Sequence, residues 1–408
     1  MKGACWTASC RPCAASRPIP TPFGRRSRLP ARCSPAFRGG RGQDPIRRAP
    51  VGQFTLGGET MTTKTKTASR RFARSLTAAL ALSLLPMAAP AQQHLRFATA
   101  QAPDSIIMRC CYQPWIDALN EGSNGTLEVA PYPPPFAAAD NMWDRVTAGV
   151  ADIGNMITYA TGLPFQRTAV ASLPGLASNA EAASAALWRL YEQGMLDDTF
   201  EQVHVLGLYT PMALSLYSRT PVQSLDDLAG MRVRSTGRET SAALTALGAS
   251  PVSISFSEAY QAISRGVVDG AVGNGNSLVV FRFNEMLEYE VDNVSFGLSV
   301  IAFIMNRDSY ANLEPEARAS IDAWSGERLS RHLGREQDVL RAQFNDQLIE
   351  AGTLHQYSLP DEERALWLER LAPITETWLA ETDNGQAVYD AFVAEYNAVL
   401  AEIEAAAN

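Results

Sequence analysis

The chain has 408 residues, 46% of them hydrophobic, which is enough to bury a large core and predicts two lobes. Charge is distributed unevenly. Residues 1–91 hold 16 of the 35 Lys and Arg residues but only 2 of the 43 Asp and Glu residues, which leaves 92–408 with a net charge of −22. Such an acidic surface argues against nucleic acid or anionic lipid as a partner. An anionic ligand would therefore need a local positive site.

The N-terminal 91 residues carry the pattern of an export signal. Residues 1–60 are rich in Arg, Pro, Gly and Ser, which predicts a disordered segment or a start site assigned too early, since Met61 opens a complete signal peptide. Basic side chains precede a short apolar stretch over 76–89, and an Ala-x-Ala site ends at Ala91. The apolar stretch is too short for a membrane span. We therefore predict a signal peptide over 61–91, cleaved after about Ala91, and a periplasmic mature chain.

A first βαβ unit follows the cleavage site. Alternating residues predict a strand over 95–98, and apolar residues four apart predict a helix over 111–119. A second strand is predicted over 126–129, a helix over 141–149, and a third strand from Ala151. Strands that alternate with helices indicate a lobe with a largely parallel sheet.

The same alternation begins again near residue 212 and predicts a second α/β lobe. Strands are predicted over 213–217, 231–234, 251–254 and 267–272, and helices over 239–247 and 258–265.

A single long helix is predicted over 314–351, and at about 1.5 Å per residue it is long enough to span both lobes. The resulting boundaries assign 92–211 plus 299–335 to lobe I, and 212–298 plus 336–408 to lobe II.

No catalytic, metal or cofactor site is predicted. Cys110 and Cys111 are the only cysteines left after cleavage, and they are either a vicinal disulfide or packing residues of the first helix. The four histidines show no metal-ligand spacing. The sequence also lacks the glycine-containing motifs of serine hydrolases, P-loop enzymes and dinucleotide-binding enzymes.

One segment combines several motifs in a specific order. Residues 225–274 read LDDLAGMRVRSTGRETSAALTALGASPVSISFSEAYQAISRGVVDGAVGN. They combine a strand ending in Arg, a helix ending Leu-Gly-Ala-x-Pro, then Phe-Ser-Glu-x-Tyr-x-Ala, then Gly-Val-Val-Asp-Gly. This order closely resembles the central signature of the solute receptors of tripartite ATP-independent periplasmic (TRAP) transporters, the dicarboxylate-binding (DctP-like) family. A looser resemblance extends from Leu95 to the C-terminus.

The resemblance implies a periplasmic-binding-protein-like α/β fold, with two lobes joined by hinge strands and a long spanning helix. It implies that a ligand is trapped between the lobes and delivered to a TRAP membrane permease, which would be the protein's only contact with the membrane. It implies no catalysis and no cofactor.

Arg234 falls at the position of the family's carboxylate clamp. It ends a predicted strand, and open α/β sheets place their ligand crevices at the carboxyl ends of strands. A guanidinium offers a carboxylate two parallel donors and keeps its charge in a partly dry cleft. The alternative is a surface arginine paired with Asp226 or Asp227.

Three further residues are candidate ligand contacts. Phe256 opens the Phe-Ser-Glu helix, where the family packs this residue against the ligand, and a core aromatic is the alternative. Asn274 directly follows Gly273, the place where many relatives carry a ligand-binding Asn. Tyr159 follows the third strand of lobe I, on its cleft side, from where it could bond the far end of the ligand.

Departures from the family pattern bear on the ligand. Leu214 stands where relatives that bind sialic acid have a second Arg, and Met156 and Ile157 stand where some of them have a carboxylate. A monocarboxylate with an apolar or aromatic body, such as a keto acid or an aromatic acid, therefore fits at least as well as a C4-dicarboxylate. Two other functions remain open, a ligand-sensing receptor for a sensor kinase and a periplasmic enzyme on the same scaffold.

Overall fold

The computed structural model describes residues 92–134, 136, 138 and 141–407. The predicted disordered or mis-assigned segment (1–60) and the predicted signal peptide (61–91) lie outside the described residues. No helix in the described part of the chain is long and apolar enough to cross a membrane.

Strands and helices alternate along most of the described chain. The strands are β1 (Gln93–Ala98), β2 (Leu127–Tyr132), β3 (Ile153–Ile157), β4 (His204–Tyr209), β5 (Ser215–Ser218), β6 (Arg232–Ser235), β7 (Ser250–Ser253), β8 (Gly270–Gly273), β9 (Tyr289–Val291), β10 (Ile301–Met305) and β11 (His355–Tyr357). The helices are α1 (Gln113–Gly122), α2 (Met142–Thr147), α3 (Ala180–Glu192), α4 (Leu225–Leu228), α5 (Arg238–Ala246), α6 (Phe256–Ser264), α7 (Gly275–Val280), α8 (Arg307–Ala311), α9 (Pro315–Ala323), α10 (Glu327–Glu350), α11 (Asp361–Glu381) and α12 (Gly385–Ala407).

Lobe I is built on a sheet in the order β2-β1-β3-β10-β4. Strand β1 pairs in parallel with β2 and β3, whereas β10 is antiparallel to β3 and β4. Leu95 and Phe97 face a core shared with α1, α9 and α10, and Ala98 faces a core shared with α2, α3 and α12. Helices therefore cover both faces of the sheet.

Lobe II is built on a second sheet in the order β11-β9-β5-β8-β6-β7. Strand β6 is parallel to β7 and β8, and β5 is antiparallel to β8 and β9. Leu216 and Val233 pack against α5 and α11 on one face. Tyr217 and Ala271 pack against α6 and α7 on the other. The predicted fold of two α/β lobes is confirmed.

Two chain segments pass side by side between the sheets. One leads from β4 to β5 and the other from β9 to β10, and they exchange backbone hydrogen bonds from Leu214 N to Gly297 O (3.2 Å) and from Phe296 N to Leu214 O (2.8 Å). These paired segments connect the two lobes, as the predicted hinge strands would.

The predicted single helix over 314–351 is two helices, α9 and α10, separated near Gly326. Gly326 has a φ of +74°, which glycine adopts without strain, and its N–H donates to Leu206 O at 2.7 Å instead of continuing the helix. The remaining 24-residue helix α10 still spans both lobes, since Leu333 lies in a core of lobe I and Leu348 in a core of lobe II.

The C-terminal helix differs from the predicted boundary, which assigned 336–408 to lobe II. Val388 and Phe392 of α12 lie in a core of lobe I together with α3. Arg189 of α3 also pairs with Glu395 of α12 through Nη1 and Oε2 at 3.1 Å. An amphipathic pattern shows which face of a helix is buried but not which core covers it, so the sequence could not place α12.

A half-buried carboxylate links α10 to the start of α3. Asp338 accepts hydrogen bonds from the backbone N–H groups of Ala180 and Glu181, both at 2.9 Å. Burial raises the pKa of Asp338 to about 6, even though these two bonds favour the carboxylate. The folded protein therefore keeps this proton to a higher pH than the unfolded chain, in which Asp titrates near about 3.9.

This shift predicts a pH dependence of stability. The contribution of Asp338 is fully present below about pH 4 and is lost as the pH rises through about 6, because only the folded state binds the proton in that window. Asp338→Asn, whose amide does not titrate, should remove this slope. Urea unfolding of both proteins at matched pH values should show the wild type losing stability relative to the variant between about pH 4 and 6. A difference that does not change with pH would contradict this assignment.

Candidate functional site

The two arginines of β6 have different surroundings. Arg232, near the start of the strand, is exposed and pairs with Asp269 through Nη2 and Oδ1 at 2.9 Å. Arg234, at the carboxyl end of the strand, is only 2% exposed. The alternative of a surface Arg234 is therefore wrong, and Asp227 instead accepts bonds from Ser224 N (3.0 Å) and Ser224 Oγ (3.0 Å) at the start of α4.

Backbone carbonyls of the neighbouring strands orient the Arg234 guanidinium. Its Nε donates to Ile254 O at 2.9 Å, just beyond β7, and its Nη1 donates to Val272 O of β8 at 3.3 Å. Both acceptors lie at the carboxyl edge of the parallel part of the sheet, where this class of fold binds ligands. The side chain is thus held in one orientation by the main chain of two adjacent strands.

Burial lowers the pKa of Arg234 to about 10, while the phenol of Tyr159 acts to raise it. A group with this pKa is still cationic at neutral pH. A planar guanidinium that keeps its charge at the carboxyl edge of a sheet can bind an anionic group through parallel hydrogen bonds.

Tyr159 of lobe I is close enough to Arg234 of lobe II for its phenol to raise the pKa of the guanidinium. Tyr159 lies on a short 3₁₀ turn, Thr158–Thr161, that directly follows β3. Its side chain is 63% exposed, unusual for an aromatic residue. Two of the predicted site residues thus come from opposite lobes.

Asn274 begins α7 and caps it. Its Oδ1 accepts a hydrogen bond from Ser277 N (3.0 Å), and its own backbone N–H donates to Ser277 Oγ (2.9 Å). A ligand contact by this side chain would therefore use Nδ2. A side chain at Gly273 would place its Cβ 2.7 Å from Ser277 Oγ, so the Ser277 hydroxyl would have to move from its place in this cap.

The Asn274 turn rests directly on the long helix. A Cβ at Gly275 would lie 3.0 Å from Phe344 Cβ and 3.3 Å from Asn345 Oδ1, both on α10. Glycine at 275 therefore allows α7 to start in close contact with α10. This contact helps to position Asn274 at the edge of the sheet.

Phe256 begins α6, but its side chain lies outside the described residues. The rest of this helix is fixed by surface bonds. Ser255 Oγ donates to Glu258 Oε2 (2.7 Å), and Tyr260 OH donates to Glu285 Oε2 (2.9 Å). Glu258 and Tyr260 therefore hold α6 in place.

Sequence reasoning missed a buried polar group inside the sheet of lobe I. Asn155 of β3 donates through Nδ2 to Tyr112 OH (3.1 Å), and Tyr112 OH lies 2.6 Å from Tyr209 OH at the end of β4. Asn155 is 7% exposed, and its Oδ1 finds no hydrogen-bond partner among the described residues. The signal available in the sequence was an Asn in the middle of an apolar strand, which is rarely tolerated without a partner.

A groove of about 600 Å³ lies elsewhere on lobe I, between α8 and the amino end of β4. His204 and Tyr310 stack in its wall with ring centres 3.6 Å apart. This is the edge of the sheet opposite Tyr159, because β4 ends at Tyr209 and begins at His204. The groove is therefore separate from the site around Arg234.

Comparison with known proteins agrees with this architecture. A TRAP solute-binding protein from Rhodoferax ferrireducens, solved with copurified benzoate, is 26% identical, with a TM-score of 0.68 over 75% of this chain and 98% of its own. One from Desulfovibrio salexigens is 24% identical, with a TM-score of 0.69 over 76% of this chain and 96% of its own, and shares the fold.

Sequence comparison also points to solute-binding proteins. The outer membrane transporter protein TsaT of Comamonas testosteroni is 25% identical over 334 residues, which cover 79% of this chain and 98% of that protein. The model of the DctP family, bacterial extracellular solute-binding protein family 7, matches residues 97–382, well over half of the chain. The chain therefore belongs to this family of solute-binding receptors.

Proposed function

We propose that this chain captures a small organic acid between its two lobes, holds the carboxylate on Arg234, and delivers the acid to a TRAP membrane permease from the periplasm. One observation carries the proposal. Arg234 is a nearly fully buried cation, oriented by two main-chain carbonyls at the carboxyl edge of the lobe II sheet. Its guanidinium is planar and can offer two parallel donors to a carboxylate.

The energy of such a contact is sufficient. A hydrogen bond to a charged group contributes about 1.5–3 kcal/mol, so a bidentate pair contributes about 3–6 kcal/mol. A micromolar dissociation constant corresponds to about 8 kcal/mol. The carboxylate contact would therefore supply a large part of the affinity, and contacts to the body of the ligand would supply the remainder.

Positions that depart from the pattern of sialic-acid-binding relatives favour an acid with an apolar or aromatic body. Leu214 is partly buried against the core of lobe II, and Met156 is buried in lobe I, so neither position offers a second charge. Tyr159 has an exposed aromatic ring, and its phenol influences the pKa of Arg234. The Rhodoferax ferrireducens relative, which carried benzoate through its purification, supports the same class of ligand.

A thermal-shift screen tests the proposal. The exported protein, unfolded and refolded to remove bound ligand, is mixed with benzoate, keto acids, C4-dicarboxylates and a sialic acid. Benzamide serves as the matched control, because it keeps the ring of benzoate but lacks the charge. A ligand at one hundred times its dissociation constant stabilises the folded state by about 2.7 kcal/mol, which raises the melting temperature measurably. We expect stabilisation by at least one aromatic or keto acid and none by benzamide. No shift with any acid, or an equal shift with benzamide, would refute carboxylate capture.

A further inference from the structure

Two neighbouring thiols lie on an unusual helical turn of lobe I. Cys110 and Cys111 belong to the π-helical turn Met108–Tyr112 that precedes α1, and their Sγ atoms are 2.6 Å apart. Cys110 is half-buried and reachable from solvent, whereas Cys111 is fully buried. Both are free thiols in this structure. The pair therefore combines one accessible sulfur with a second sulfur directly behind it.

The buried member of the pair touches the helix that spans the two lobes. Gln337 Nε2 of α10 donates to Cys111 Sγ at 3.6 Å, and His332 Nε2 lies 3.3 Å from Cys111 O. A chemical change at Cys111 would therefore alter its contact with α10.

From this geometry we infer that Cys110 and Cys111 form a redox-active dithiol, which a disulfide-bearing oxidant converts into a vicinal disulfide. The inference does not depend on the ligand. It rests on the two sulfurs and on membership of a family of extracellular proteins, because that compartment maintains disulfides.

The reaction balances as two exchange steps. The Cys110 thiolate attacks one sulfur of the oxidant disulfide, and the other oxidant sulfur leaves as a thiol. Cys111 Sγ then loses its proton to solvent and attacks Cys110 Sγ, which forms the intramolecular bond and releases the second oxidant thiol. The protein loses two protons and two electrons, and the oxidant gains them.

The same geometry makes the oxidised form slow to appear and easy to reduce. The pKa of Cys111 is raised by contact with the Cys110 thiol and by burial. The Cys111 thiolate is therefore scarce at neutral pH, and ring closure should accelerate at alkaline pH. Consecutive Cα atoms are about 3.8 Å apart, less than the 4.4–6.8 Å that disulfides usually span. Closing the ring must therefore reshape the π-helical turn, and a disulfide formed under such constraint is labile.

Peptide mass spectrometry tests this directly. Trypsin cleaves after Arg109 and Arg145, so residues 110–145 form one peptide that contains both cysteines and no others. The folded protein is incubated with glutathione disulfide at about pH 8, above the usual range of reactive thiols, then quenched with acid, alkylated after denaturation and digested. We expect this peptide to be unalkylated and lighter by about two mass units than its reduced, unalkylated counterpart, with reversal by dithiothreitol. Cys110→Ser is the control, in which Cys111 should stay alkylatable.

The other outcomes overturn the inference. Two alkylated cysteines after prolonged incubation would show that the pair is only a packing contact. A glutathione adduct that persists on Cys110 without ring closure would show an accessible thiol but no dithiol. Either result would leave carboxylate binding untouched, so the two proposals fail separately.

Discussion

Replacing Arg234 with Ala should weaken binding of the captured acid by roughly a hundredfold or more. The change removes two charge-assisted hydrogen bonds, each worth about 1.5–3 kcal/mol, and about 1.4 kcal/mol corresponds to a tenfold change in affinity. The affinity of Arg234→Lys should lie between those of Arg234→Ala and the wild type, because Lys keeps the charge but loses the planar pair of donors. Isothermal titration with the best acid from the thermal-shift screen measures both variants.

Arg232→Ala is the matched control for this experiment. Arg232 lies two residues earlier on β6, carries the same charge, and is exposed and paired with Asp269. Its removal should leave the affinity essentially unchanged, because long-range attraction between exposed charges is screened by salt. Equal losses in the Arg232 and Arg234 variants would indicate a general electrostatic effect, and unchanged binding in Arg234→Ala would exclude the clamp.

Gly334→Ala should reduce the free energy of unfolding by about 1–3 kcal/mol, the usual range for overpacking a core. Gly334 lies inside α10 where this helix crosses α3. An added Cβ would lie 2.5 Å from Ala180 O and 2.6 Å from Ser184 Oγ, closer than real contacts allow. Ala180 O cannot move away easily, since it already accepts a hydrogen bond from Ser184 Oγ at 2.6 Å.

The sign of this effect makes the experiment informative. In an ordinary helix interior, replacing Gly with Ala stabilises the protein by about 1 kcal/mol, so a destabilisation can only come from the crossing with α3. Urea unfolding of the two proteins gives the comparison. A Gly334→Ala protein as stable as the wild type would mean that α3 and α10 are not held at this separation.

Local patterns predicted the parts of the molecule that depend on local chemistry. The strand that carries Arg234 follows from a short motif, and the two α/β lobes follow from alternating strands and helices. The packing of α12 on lobe I could not be predicted in this way, because an apolar helix face does not show which core it will cover. The break at Gly326 also depends on a distant group, the carbonyl of Leu206.

In the candidate site, too, some features follow from local sequence and others do not. The place of Arg234 near the end of a lobe II strand could be predicted, because the residues around it form a specific motif. Asn155, Tyr112 and Tyr209 come from three separate elements, and only the folded sheet brings their side chains together. The contact between Cys111 and Gln337 joins residues more than two hundred positions apart, so no local pattern could predict it.

Helix α10 meets each lobe at a contact that contains a glycine. Gly334 lies against Ala180 of α3 in lobe I, and Gly275 of α7 in lobe II lies against Phe344. About 15 Å of helix separates Gly334 from Phe344. Neither glycine has a side chain that could change rotamer to absorb a displacement. Any rotation of one lobe relative to the other must therefore bend α10 between Gly334 and Phe344 or slide it along one of the two contacts. This short stretch of helix thus limits how far the two lobes can separate.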